Sequence, residues 1–110
     1  MGYMRHHAII VTSGLPGEIE SAHAEASKIF PWASPISPPA TNGYRSFFIP
    51  PDGSKEFGGA ASEAGDEQRA AFVLWLTAKR ECEWVEVQYA DDEGDTRALR
   101  CGRHPNGIDP

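Results

Sequence analysis

The stretch WVEVQYADDEGDTRALRC, residues 84–101, decides the fold because it contains two strands and the turn between them. Apolar and polar residues alternate with a period of two on both sides of the sequence DEG, and a three-residue loop with glycine last is typical of a β-hairpin. One face of this hairpin is apolar, and the other sets opposite charges across the strands. The predicted cross-strand pairs are Val85 with Cys101, Val87 with Leu99, and Glu86 with Arg100, and the two residue numbers of each pair add up to 186.

A strand, a helix and a proline-rich segment come first in the chain. Residues 7–13, HAIIVTS, are β-branched and continuously apolar, which predicts a central strand covered on both faces. Pro16 suits the first turn of a helix whose apolar residues recur at helical spacing as far as Phe30. Four prolines then occur within residues 31–42, so any strand near residues 33–37 must be short and lie at an edge of the sheet.

The middle of the chain predicts a second strand and a second helix. The pair Asn-Gly precedes residues 44–49, YRSFFI, which have the strongest β propensity in the chain. Residues 58–65 lack large side chains and predict a mobile loop, either a connector or a lid. Asp66 then caps a helix that runs to about Lys79. Its main apolar face contains Phe72, Trp75 and Leu76, and Ala71, Leu74 and Ala78 make a second apolar strip.

The order of these elements predicts an α+β protein. A β-α-β-β-α-β-β series is typical of a two-layer, ferredoxin-like sandwich with one added strand and two helices on one face of a mainly antiparallel sheet. The 110 residues suffice for one domain over residues 1–110, with an ordered core of about residues 6–101 and a tail at residues 102–110. Met1 and Met4 both fit a start of translation.

The other face of this sheet is predicted to be uncovered. If Phe47, Ile49, Val85, Val87 and Leu99 point toward the helices, the opposite face carries aromatic, polar and charged side chains. The predicted interaction surface consists of Tyr44, Phe48, Trp84, Glu86, Gln88 and Arg100. Aromatic residues together with arginine are enriched in protein interfaces, which favours a non-enzymatic interaction or regulatory module that binds a protein partner or a second copy. The simpler alternative is that these side chains only shield the sheet.

The charge of the chain limits its partners. Sixteen acidic residues against ten basic ones give a net charge of −6, and residues 81–95 contain seven acids and no base. Such a surface repels phosphate backbones, so nucleic acid is disfavoured as a partner. The alternative function is weak binding of single-stranded nucleic acid through the strand aromatics, as in RNA-recognition modules.

The sequence assigns no catalytic, cofactor-binding or metal-ligating residue. It contains no GxSxG, GxGxxG or GxxxxGK[ST] motif and no close pair of zinc ligands, so a small enzyme without a recognisable motif is the second alternative. In the hairpin register Cys82 and Cys101 lie three positions apart on opposite faces, which predicts two free thiols. The longest apolar run, residues 70–76, is too short to span a membrane, and a cytoplasmic protein is expected.

Two stretches also carry a resemblance. GYRSFFIPPDGSKE at residues 43–56, followed by an amphipathic helix and then WVEVQYADDEG at residues 84–94, resembles small phage and prophage proteins of bacteria. The resemblance covers about residues 8–100. It implies a small bacterial cytoplasmic protein from a mobile element, and it implies no activity, cofactor or site residue.

Overall fold

A computed structural model describes residues 5–53, 60–90, 94 and 96–102. Asp92 and Glu93 of the predicted hairpin turn and the tail beyond residue 102 lie outside these residues, as does the start of the predicted loop at residues 58–65. The elements are β1 (Arg5–Ser13), α1 (Pro16–Ile29), a short 3-10 turn (Thr41–Gly43), β2 (Arg45–Ile49), α2 (Ala60–Lys79), β3 (Glu83–Ala90) and β4 (Arg97–Gly102).

The four strands form one antiparallel sheet in the order β2-β1-β3-β4. The predicted α+β sandwich is therefore confirmed, and β1 is central as expected. Both helices contribute to a single apolar core on one face of the sheet. The ferredoxin-like series is compatible with this order, because the proline-rich segment runs beside β2 in the place of the second strand and β4 is the added strand.

The proline-rich segment forms no strand, but it still covers the outer edge of β2. The backbone N–H groups of Ser34 and Ser37 donate to the carbonyl oxygens of Phe48 and Ser46, at 2.9 and 2.8 Å. In return, the two serine hydroxyls accept from the backbone N–H groups of the same two residues, at 2.9 and 3.0 Å. Serine side chains thus replace backbone carbonyls, and this edge is closed against further strands.

Helix α1 follows the prediction, whereas α2 is longer than predicted. Residues 60–65 are helical, so the predicted loop is wrong there and Asp66 is not the first residue of the helix. Alanine and glutamate at these positions favour the helix. Gly65 fits because a Cβ at this position would lie 2.6 Å from an Asp52 carboxylate oxygen. Leu74 in the second apolar strip of α2 is 70% exposed, so the described residues do not cover this strip.

The hairpin register is confirmed for its first half and shifted by one residue in its second half. Val85 pairs with Cys101, and Glu86 pairs with Arg100. A bulge follows Glu86, so Val87 pairs with Ala98 instead of Leu99. Leu99 becomes the extra residue of the bulge and lies exposed.

The prediction of which face of β3 meets the helices is wrong. Trp84 and Glu86 are buried on the helix side, because they pair with Val11 and Ile9, whose side chains lie in the core. Cross-strand partners share a face, so Val85 and its neighbours two residues away point to the other side. The expectation that β1 is covered on both faces is wrong too, since Ile10 is 41% exposed.

Candidate functional site: the open face of the sheet

The six residues of the predicted interaction surface do not lie together. Tyr44 and Phe48 are exposed as expected. Trp84, Glu86 and Gln88 are buried beneath the helices, which removes them from any open surface. Arg100 is half-exposed at the sheet edge, but its guanidinium turns to the helix side to meet Glu86.

Glu86 is the centre of a buried network of charges. Its side chain is 2% exposed and projects from the middle of the sheet. Arg100 donates to its Oε1 atom through Nε at 2.6 Å and through a terminal nitrogen at 2.5 Å. The Nε atom of Arg69, on α2, lies 3.5 Å from its other oxygen. A carboxylate can be buried here because two guanidinium groups compensate for the hydration it loses.

Arg69 connects this network to two further segments. It forms an ion pair with Asp66 one turn earlier on α2. A terminal nitrogen also lies 3.9 Å from the carboxylate of Asp52, which follows β2. Sequence reasoning missed this arginine, although it falls on the same helical stripe as Phe72, Val73 and Leu76. An arginine on a buried stripe is the signal that a buried acid lies opposite.

This network is structural in its geometry. The cleft beside it, lined in part by His7, Asp52 and Arg69, is too narrow to admit a water molecule, whereas ligand pockets have volumes of roughly 300–1,000 Å³. The cluster contains three carboxylates and two guanidinium groups, and these groups already pair with one another. Nothing in this arrangement presents an activated group to a substrate.

The uncovered surface of the sheet is instead built from a different set of residues. We call it the open face and define it by the side chains that alternate away from the helices. Its centre consists of Ala8, Ile10 and Thr12 on β1, Ser46 and Phe48 on β2, Val85 and Val87 on β3, and Ala98 and Cys101 on β4, and its ends include His6, Glu83 and Tyr89. Ala8 is the one apolar residue of this centre that is buried. Ile10 and Phe48 are each more than 40% exposed, so the centre of this face is apolar and open to solvent.

Two shallow grooves run across the open face on either side of Ile10. One has a volume of about 490 Å³ and lies between Ile10, Phe48 and the proline-rich segment. The other has about 470 Å³ and extends past Val85 to Cys101. Both grooves are broad and open to solvent.

Two polar side chains near the centre of the open face are hydrogen-bonded to each other. The hydroxyls of Thr12 and Ser46 hydrogen-bond across β1 and β2 at 2.8 Å. Toward the ends of the face lie Glu83, paired in the sheet with Thr12, and His6, whose ring lies 5.1 Å from that of Tyr89. Covering the centre of this face therefore leaves no hydroxyl without a partner.

The two cysteines are free and differ in environment. Cys101 is exposed on β4, whereas Cys82 is buried and its thiol donates to the carbonyl oxygen of Glu18 at 3.7 Å. Burial, reinforced by the charges of Glu18 and Glu81, raises the pKa of the Cys82 thiol to about 12. Cys101 is therefore the thiol available for reaction in the folded protein.

The raised pKa of Cys82 predicts a loss of stability in alkali. A thiol whose pKa is higher in the folded than in the unfolded state contributes stability below the unfolded pKa of 9.0, and this stability is lost as the pH rises toward 12. Between pH 7 and pH 10.5 the free energy of unfolding should fall by about 1–2 kcal/mol more in the wild type than in Cys82→Ala. Urea denaturation at both pH values measures the difference, and equal losses would contradict the prediction.

The fold and the open face define a small α+β sandwich in which one surface of the sheet is covered by no other described segment. No protein-family model, curated protein or solved structure matches the chain significantly. Within the described residues, no helix has the length and apolar character to cross a membrane. The same residues contain no group of three or more His, Cys, Asp or Glu side chains that could hold a metal ion.

Proposed function

We propose that this protein is a non-enzymatic interaction module whose open face binds protein. The observation that carries the proposal is the continuous apolar centre of this face, with Ile10 and Phe48 exposed beside the two grooves. Exposed apolar surface of this extent marks binding sites on small proteins. A cytoplasmic location and the phage or prophage origin implied by the resemblance belong to the same proposal.

Protein is favoured over nucleic acid by the charges around this surface. The described residues of the open face include no lysine or arginine, since Arg45 turns to Glu20 and Ser37, and Arg100 turns to Glu86. A site for single-stranded nucleic acid combines aromatic side chains with basic groups that follow the backbone. Phe48 without a neighbouring cation, in a chain of net charge −6, fits an apolar protein surface better.

A charge placed on the open face should abolish binding, whereas the same charge on the helical layer should not. Phe48→Lys inserts an ammonium group into the apolar surface, and Leu74→Lys is the matched control because Leu74 is exposed on the opposite layer. We expect wild type and Leu74→Lys to associate with themselves or with proteins of a bacterial lysate, and Phe48→Lys to lose at least tenfold in affinity. Circular dichroism verifies that both variants are folded.

Two results would contradict the proposed function. One is that neither self-association nor capture of any protein depends on Phe48. The other is that single-stranded RNA binds to the wild type at low salt and not to Phe48→Lys, which would support the nucleic-acid alternative.

A further inference from the structure

We infer that the occupant of the open face is a second copy of this chain, packed sheet against sheet about a two-fold axis that runs across the strands near Ile9. This inference rests on the proposed function and makes it specific. Such packing is the ordinary way in which two sheets bury their apolar faces, at a separation of about 10 Å. A two-fold axis in this position reverses the strand direction and sets each strand over its own copy.

The register of the sheet shows that the open face is complementary to itself under this rotation. Ile10 of one copy lies over Ala8 of the other, so a large side chain meets a small one. On β4, Cys101 of one copy lies over Ala98 of the other. Cys101 is in line with Ile10 through Val85, and Ala98 is in line with Ala8 through Val87. The same rotation sets Val85 over Val87, which are equal in size, and Phe48 over Pro50 next to Ile49. Apolar side chains therefore meet apolar side chains across the centre of the interface.

The polar ends of the open face are complementary as well. Glu83 and Tyr89 lie at opposite ends of β3. Their partners on β1 are Thr12 and His6, which lie three positions to either side of the axis at Ile9. The rotation sets Glu83 of each copy over Tyr89 of the other, with His6 beside it. A phenol hydroxyl can donate to a carboxylate at that place, so the acid gains a partner when the face is covered.

The distribution of charge permits a second copy to bind at the open face. Two chains that each carry −6 repel one another wherever their acids meet. The centre of the open face contains no charged residue among those described, and the acid at its end meets a hydroxyl. Charge repulsion between two copies is therefore small at this face.

The size of the open face predicts a weak dimer. Four strands at a spacing of about 4.8 Å, with nine residues of β1 at about 3.3 Å each, give a face of roughly 20 by 30 Å. Two such faces bury about 1,000–1,200 Å² in total, at the lower end of specific interfaces. Dimerisation should therefore require protein concentrations in the micromolar range or above.

Sedimentation equilibrium over a wide concentration range tests the dimer. We expect the wild type and Leu74→Lys to approach twice the monomer mass and Phe48→Lys to stay monomeric. A wild type that stays monomeric at millimolar concentration would overturn the inference. The proposed function would survive that result if a heterologous protein still bound in a manner that depends on Phe48. A dimer that Phe48→Lys leaves intact would also overturn it, because another surface would then be used.

Cys101 reports the direction of the two-fold axis. With the axis across the strands, the Cα atoms of the two Cys101 residues lie about 12 Å apart, whereas an axis along the strands would separate them by about 17 Å. A bismaleimide with a span of about 8 Å should therefore link two wild-type copies through Cys101, and Cys101→Ser should abolish the product. A dimer that resists this reagent would overturn the proposed axis. Monomers that resist monofunctional maleimide as well would show that the chain itself covers this face.

Discussion

Glu86→Ala is expected to lower the free energy of unfolding by about 3–5 kcal/mol. The mutation removes the carboxylate between Arg69 and Arg100 and leaves the Arg69 guanidinium buried, with only the more distant Asp52 and the more exposed Asp66 as partners. Breaking a buried ion pair costs more than its attraction, because the remaining charge has lost its hydration. Urea denaturation, followed by circular dichroism, measures the loss.

Glu67→Ala provides the matched control for this loss. Glu67 is an exposed acid on α2, so its removal should change stability by no more than about 0.5 kcal/mol. Glu86→Gln should fall between the two variants, because the amide oxygen still accepts a hydrogen bond from Arg100 although the charge is gone. If Glu86→Ala were as stable as Glu67→Ala, the network could not hold the sheet and α2 together.

Trp84→Ala should destabilise the protein by about 3–5 kcal/mol, whereas Phe48→Ala should cost about 1 kcal/mol or less. Trp84 is 7% exposed, and its indole lies over Gly102, where any Cβ would overlap the ring. Phe48 is 42% exposed and leaves no closed cavity when it is truncated. The two aromatic residues were predicted to share one surface, and the unequal losses of stability would show that one lies in the core and the other on the surface.

Thermal and urea denaturation at low micromolar concentration measure both variants without a contribution from dimer formation. Intrinsic fluorescence gives a second readout, since Trp84→Ala removes the emission of a buried indole while Phe48→Ala retains it. Equal stability of the two variants would contradict the assignment of Trp84 to the core.

The sequence predicted the elements of the fold much better than it predicted the faces of β3. The alternation in WVEVQY does not show which side of the strand faces the core, because valine at residues 85 and 87 is as suitable for a core as Trp84. The choice between them depends on what the helices present to the strand. Arg69 on α2 can compensate the buried negative charge of Glu86, and Gly102 on β4 leaves room for the indole of Trp84.

The candidate site was therefore half predicted. Phe48 was placed correctly, because β2 has a single clear apolar face at Phe47 and Ile49. Ile10 was missed because a continuous apolar strand gives no sign of which face stays open. Val85 was assigned to the core by its hydrophobicity alone, and only its pairing with Ile10 shows that it lies on the open face.

The amino-acid sequence by itself determined the two-layer α+β class, the position of α1 and the hairpin pairing of Glu86 with Arg100, because these follow from local periodicity and from the turn. Tertiary structure decided that Glu86 of this pair is buried and that an apolar face around Ile10 and Phe48 is exposed. The physical reason is that a buried carboxylate becomes acceptable only when a distant guanidinium, here that of Arg69, is brought to within 3.5 Å.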